Sequence, residues 1–207
     1  MEYSTLIDTY DCDCPMLSGR FPRLCDYIKE FSTGQSGDGL DIGAGPKGGY
    51  SQYFDGVDSL DGCDADEAVV DSLPSERYNR RYVYTLGGEE PLPHPDSSKD
   101  FVVCSCVIHH LNNTEELERA LREMTRVLRQ NGRMFLMFKA GVHNTNLTHF
   151  SRYYQAERTI RVFDPESLLQ SAKLLGLDLD CTPGRMCNEV LVDQNWLVNC
   201  CLVLCKR

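Results

Sequence analysis

The chain has 207 residues, of which 42% are hydrophobic and 25% charged, with a formal net charge of −10. Such a length supports one domain with a substantial core, the composition is that of a soluble globular protein, and no apolar run approaches the ~20 residues of a membrane span. The acidity argues against broad, nonspecific nucleic-acid binding; because residues 1–100 hold 8 Lys/Arg against 20 Asp/Glu, any local basic face must come from the second half.

The opening residues, MEYSTLIDTYDCDC, lack the basic-then-apolar pattern of a signal peptide and suggest a cytoplasmic or nuclear protein. The 11 cysteines are an odd number, which argues against a disulfide framework. Cys104, Cys106, Cys200, Cys201 and Cys205 lie in apolar runs and are expected as reduced core residues. Cys12 and Cys14 stand too close for a C-x2-C knuckle, and no metal site is expected.

In chain order, Leu17, Phe21, Leu24, Tyr27, Ile28 and Phe31 recur at helical spacing and predict a helix over 17–31, within an N-terminal helical cap (1–37). Strand one is predicted at 39–43, a helix at 49–55, strand two at 57–64, a short helix at 67–73 and strand three at 81–86. After a Pro-rich loop, FVVCSCVI (101–108) is a bounded apolar run, as expected of a strand buried on both faces. Asn113 and Glu116 fit a capping box for a helix whose buried stripe is Leu117, Leu121, Met124 and Leu128. Asn131-Gly132 is read as its end, and RMFLMF (133–138) as strand five. Asp164 caps a further helix with Pro165 at its first position, and Gly176 stops it. The final residues read as two strands, 189–192 and 197–205. Strands alternating with helices imply a parallel sheet covered on both faces, and the closing pair an antiparallel hairpin at an edge.

The most informative stretch is LDIGAGPKG, residues 40–48. A glycine turn after a strand lets backbone approach a ligand closely, and a helix starting after it would point free N–H groups at an anion. Gly43, Gly45 and Gly48 satisfy G-x-G-x-x-G, and Asp64 lies about 20 residues on, where an acid grips ribose hydroxyls in dinucleotide enzymes. Three features favour S-adenosylmethionine instead. Asp41 precedes the first glycine, where it can hold an ammonium or order the loop. The chain has no room for a separate substrate domain. The third feature is the pattern of strand four and its continuation into VIHHL (107–111).

Over residues 38–207 the sequence resembles the class I S-adenosylmethionine-dependent methyltransferases. The resemblance rests on LDIGAG (40–45), GCD (62–64), PLPHPDSSKDFVVCSCVIHHL (91–111), LREMTRVLRQNGRMFL (121–136) and FDPESLLQSAKLLGL (163–177). It implies an α/β fold: a single Rossmann-like seven-stranded sheet in the order 3-2-1-4-5-7-6, strand seven antiparallel, helices on both faces. It also implies that Asp41, Gly43, Ala44 and Gly45 face the methionine part of the cofactor. Asp64 takes the ribose hydroxyls, Ala65 lies near adenine, and Cys106 and Val107 line the floor. The product is S-adenosylhomocysteine. The sequence departs from the family at three places. Lys47 stands where a third glycine is expected, and Gln130-Asn131-Gly132 replaces Pro-Gly-Gly. Gly88 aligns with the adenine-binding acid, which makes Glu89 or Glu90 the candidate in its place.

Methyl transfer from a sulfonium rests largely on alignment. The chain has no Asn-Pro-Pro-Tyr, Asp-Pro-Pro-Tyr or Pro-Cys motif and few lysines, which leaves acceptors nucleophilic as they stand: guanine N7, a carboxylate, a free amine or a thiol. His109 and His110 end strand four, as a substrate hydrogen-bond donor or base or as elements of loop structure. Residues 143–163 are read as a lid over the acceptor. There Tyr153 and Tyr154 can stack on a base and Arg152, Arg158 and Arg161 can meet phosphates, or the segment is an ordinary amphipathic element. The first expectation is an RNA acceptor: mRNA cap guanine N7, then a tRNA wobble-uridine carboxylate. The alternatives are a small-molecule N- or O-methyltransferase, or a noncatalytic subunit of the same fold.

Overall fold

The computed structural model describes residues 24–151, 156–180, 188–192 and 198–207. Strands β1 (Asp38–Ile42), β2 (Ser59–Asp64), β3 (Arg80–Val83), β4 (Lys99–Ser105) and β5 (Leu128–Lys139) pair in parallel in the order 3-2-1-4-5. A hairpin of β6 (Thr145–Ser151) and β7 (Ala156–Val162) forms its own antiparallel sheet. The main sheet is completed by β8 (Leu177–Leu179), β9 (Asn188–Val192) and β10 (Val198–Lys206). β10 runs antiparallel to β5, with Cys201 opposite Met137 and Val203 opposite Phe135. The far side of β10 is shared end to end: β9 pairs with Val198–Leu202 and β8 with Leu204–Lys206.

The main path, 3-2-1-4-5-10-8, is the expected order with β10 as the antiparallel seventh strand. The closing hairpin exists as β9–β10, but β8 holds part of the outer position expected for it alone. Three residues are too short a run to carry a periodic signal.

Alternation along the strands divides the core into two faces. Leu40, Ile42, Val102, Cys104, Leu136 and Phe138 pack with helices α3 (Thr114–Val127) and α4 (Pro165–Leu174). Phe101, Val103, Phe135 and Met137 pack on the other face with Ile28 and Phe31 of α1 (Leu24–Ser32). The expected start of that first helix, 17–23, lies outside the described residues. Helix α2 (Glu67–Ser72) is capped by Asp66 and buries Val69 and Val70. The capping residues behave as the sequence predicts. Asn113 Oδ1 accepts from Glu116 N at 2.8 Å, while Glu116 reaches one residue further back than expected, to Asn112 N at 2.8 Å. Asp164 accepts from the amides of Glu166 and Ser167, with Pro165 at the first turn. No helix among the described residues is long and apolar enough to cross a membrane.

Three local expectations are corrected. The helix predicted at 49–55 is absent; residues 46–48 and 51–53 form two short 3-10 turns. Gly48, at φ +55°, and Gly49 are poor helix formers in sequence, and Gly48 adopts a left-handed conformation that an α-helix cannot continue. Asn131-Gly132 does not end α3, which stops at Val127; it lies inside a register shift of β5, between the pairs Lys99–Leu128 and Phe101–Arg133. An added Cβ at Gly132 would sit 2.8 Å from the Arg129 carbonyl, so the bulge needs glycine there. Strand three ends at Val83 rather than residue 86, because the chain turns away through Gly87, at φ +78°.

A polar group is buried where β4 begins. Lys99 Nζ donates to Asp61 Oδ2 at 2.6 Å, His94 Nδ1 lies 3.8 Å from the same oxygen, and the Tyr82 hydroxyl meets His94 Nε2 at 2.8 Å. Burial, and then the charge of Lys99, pushes the His94 pKa down to about 4, so this imidazole is neutral in the folded protein at pH 7.

Candidate cofactor and acceptor site

In an open parallel sheet, ligands bind beyond the carboxyl ends of the strands. Here β1 continues past Ile42 as a glycine loop, held to β2 by the amides of Gly43 and Ala44, which donate to Cys63 O at 2.8 and 3.0 Å. Gly43 adopts φ +66°, and an added Cβ would sit 2.2 Å from Val107 Cγ2, in the turn after β4. Gly45 N donates to Asp64 Oδ2 at 3.1 Å, which joins the loop to the acid at the end of β2. Lys47 takes a left-handed conformation (φ 61°, ψ 7°), and its amide donates to Ser72 Oγ at 3.0 Å. The position where the resemblance implies glycine thus keeps a glycine-like backbone despite its side chain, at a cost of about 1–2 kcal/mol. Because no α-helix starts at the end of the loop, the helix N-terminus expected as an anion site is absent.

Asp41 is buried, and Tyr78 Oη donates to its Oδ2 at 2.7 Å. Burial raises the Asp41 pKa to about 7; the Tyr78 hydrogen bond opposes the rise and the charge of Asp64 adds to it. Asp64 is half-buried, and burial raises its pKa also, against the amides of Asp66, Gly45 and Ala65. Ala44 is buried and Ala65 exposed. Across the site, Cys106 stands just beyond β4 at φ 61° and donates its amide to Met137 O at 2.9 Å; with Val107 it is half-buried. The structure therefore brings Asp41, Gly43, Ala44, Gly45, Asp64, Cys106 and Val107 to one end of the sheet. Glu89 and Glu90 are exposed in the loop after β3, which Arg119 Nε ties to α3 through Gly87 O at 2.8 Å.

Residues Ile108–His110 form a 3-10 turn. His109 is buried and His110 exposed, with ring centroids 4.3 Å apart. Desolvation of the His110 ring, and then the positive charges of Arg158 and Lys139, lower its pKa to about 4. Lys139 ends β5, and Phe163 N donates to its carbonyl at 2.9 Å, which seats the end of the hairpin there. Along β7, Arg158 shares a face with buried Ile160 and Val162, while Glu157 and Thr159 face solvent. Arg161 acts as a clamp: it donates to Asn112 O at 3.2 Å and Thr114 Oγ1 at 2.9 Å. Arg152, Tyr153 and Tyr154 lie outside the described residues.

The donor set fits S-adenosylmethionine. Two carboxylates of different exposure flank a loop whose Gly43 leaves no room for a side chain, above a floor that Cys106 and Val107 leave partly open. Sequence reasoning missed Tyr78 and Lys139. For Tyr78 a signal existed in Gly62: a glycine inside a strand marks a close neighbour, and its added Cβ would sit 2.5 Å from the Tyr78 ring.

A family model described as a methyltransferase domain matches residues 40–136. A curated relative, the uncharacterized methyltransferase YcgJ of Bacillus subtilis, is 29% identical over 136 residues, 64% of this chain and 51% of that protein. The chain thus spans about half the length of that relative. Among solved structures, a SAM-dependent methyltransferase from Methanosarcina mazei superposes with a TM-score of 0.65 at 17% identity, covering 82% of this chain and 92% of that one. A Burkholderia thailandensis 1,6-didemethyltoxoflavin-N1-methyltransferase, solved with S-adenosylhomocysteine, superposes with a TM-score of 0.63 at 17% identity, covering 88% and 76%.

Proposed function

We propose that this chain, whose residues 40–136 match a methyltransferase-domain family model, is a class I S-adenosylmethionine-dependent methyltransferase that moves the cofactor's methyl group to an acceptor bearing negative charge beside its nucleophilic atom. One placement supports the acceptor reading: Lys139 at the end of β5 and Arg158 of β7 lie near His110, which follows the end of β4, on a protein whose net charge is −10. Cations placed beside the acceptor's position favour an anionic acceptor over a neutral one.

When bound, S-adenosylmethionine supplies an activated methyl on a sulfonium, so the protein's share is binding and alignment. In this reading Asp41, Gly43, Ala44 and Gly45 hold the methionine part. Asp64 takes the ribose hydroxyls, Ala65 lies by adenine with Glu89 or Glu90 beyond it, and Cys106 and Val107 form the floor. His110, neutral at pH 7, accepts a hydrogen bond or proton from the acceptor, and His109 backs it. Residues 143–163 form the lid, with Arg158 and Lys139 on the acceptor's charge and Arg152, Tyr153 and Tyr154 as further contacts.

An RNA nucleotide is the favoured acceptor, cap guanine N7 ahead of a wobble-uridine carboxylate. A cytoplasmic setting belongs to the same reading. A small-molecule acceptor is the second reading, favoured by the likeness to the didemethyltoxoflavin enzyme. The test incubates the protein with methyl-labelled cofactor and capped RNA, uncapped RNA, tRNA, small carboxylates and small neutral amines. Label in an anionic acceptor is expected. Label in neutral acceptors alone overturns the acceptor reading, and label in small carboxylates alone replaces RNA with a small molecule.

A further inference from the structure

We infer that Tyr78 is a positioning residue of the cofactor site: its phenol holds Asp41 as the anionic partner of the cofactor's ammonium group, and its ring is the surface on which the glycine loop is folded. The inference rests on the cofactor reading above and adds a residue outside every motif that points to that reading.

Four observations support it. The hydroxyl donates to Asp41 Oδ2 at 2.7 Å with both residues buried, so water has little access to replace the bond. The ring lies against two glycines on different elements: an added Cβ would sit 2.4 Å from Tyr78 Cε2 at Gly48 and 2.5 Å from Cδ1 at Gly62. Glycine at both positions, one in the loop and one inside β2, is what admits an aromatic ring between them. The backbone is held independently of the ring, by Tyr78 N donating to Pro74 O at 3.1 Å and Asn79 N to Leu60 O at 2.7 Å. Finally, Tyr78 is the hydrogen-bond donor that favours the charged form of Asp41, against burial and the charge of Asp64.

A tyrosine that only fills the core makes no prediction about pH, whereas a positioning residue does. Asp41 must be ionised to attract an ammonium. The groups that act on it are Tyr78, Asp64 of β2, and the thiols of Cys63 and Cys104, and burial pushes both thiols and the phenol upward, away from neutrality. Replacing Tyr78 by phenylalanine keeps the ring and removes the donor, so the Asp41 pKa rises above about 7. Cofactor affinity then falls most on the acid side of neutrality.

The experiment measures S-adenosylmethionine binding by calorimetry between pH 6 and 8 for wild type, Tyr78→Phe, Asp41→Asn and the double variant. Tyr78→Phe is expected to bind about tenfold more weakly at pH 6.5, the equivalent of one pKa unit, with the deficit narrowing toward pH 8. In the Asp41→Asn background the same change is expected to have no further effect, as for two groups acting as a pair. A loss equal at every pH, or one that persists undiminished with Asp41→Asn, overturns the inference while leaving the cofactor reading intact. Absence of binding by wild type at every pH overturns both.

Discussion

Gly43 and Val107 interlock: a Cβ on the glycine would lie 2.2 Å from Val107 Cγ2. The loop after β1 and the turn after β4 therefore sit closer than any side chain at residue 43 allows. With Gly45 N on Asp64 Oδ2, this makes one surface from the ends of three strands. Gly43→Ala therefore both strains φ +66° and forces Val107 to move. We expect a loss of about 2–4 kcal/mol in urea denaturation, with cofactor binding lost in the fraction that stays folded.

Lys47 gives the opposite prediction. Its φ of 61° is a conformation that glycine adopts without strain, and the side chain is exposed. Lys47→Gly should stabilise the protein by about 1 kcal/mol, seen as a higher melting temperature with cofactor affinity unchanged within twofold. A fall in melting temperature would show that the lysine side chain contributes more than its backbone costs.

The buried His94 predicts a pH dependence. Its folded pKa of about 4 lies below the unfolded value of 6.5, so the unfolded chain binds more protons between these limits. Stability from this residue is complete above pH 6.5 and is lost as pH falls toward 4, by up to about 3 kcal/mol. Asp41, raised to about 7, acts in the opposite sense over pH 4–7, so the histidine's share is read as the difference between wild type and His94→Gln. That difference should shift in the variant's favour as pH drops from 7 to 4.5. In the same cluster, Lys99→Met leaves Asp61 as a buried carboxylate without its cation, and about 3–5 kcal/mol of stability should go in urea titrations at pH 7.

Arg161 joins the β6–β7 hairpin to the turn before α3 through Asn112 O and Thr114 Oγ1. Arg161→Ala should leave cofactor affinity unchanged and raise KM several-fold for whichever acceptor the labelling panel identifies. A matched rise in the cofactor's Kd would place the hairpin at the cofactor site instead.

Much of this architecture is legible in the sequence because it depends on local physics. Asn113 and Asp164 cap helices through side-chain oxygens that reach amides two or three residues on, and FVVCS is a strand by composition, although the expected continuation through 106–108 turns out of the sheet after Ser105. The glycine loop and Asp64 are adjacent in sequence to the strands that place them. What sequence conceals is long-range or polar. Tyr78 stands 37 residues from Asp41 in a loop with no motif. The β6–β7 hairpin carries few apolar residues, so its alternation has little hydrophobic contrast and reads only as a lid of unstated structure. The helix expected at 49–55 fails because Gly48 takes a left-handed conformation that an α-helix cannot continue, and Tyr50 and Phe54 are buried through tight turns instead.

The central claim is that the glycine loop and Asp64 form an S-adenosylmethionine site, and calorimetric titration of S-adenosylmethionine and S-adenosylhomocysteine tests it most directly. Wild type should bind both with one site per chain, Asp64→Ala should weaken both at least tenfold, and NAD should give no heat. Binding of NAD but of neither sulfur nucleotide, or affinity for them unchanged by Asp64→Ala, would contradict it.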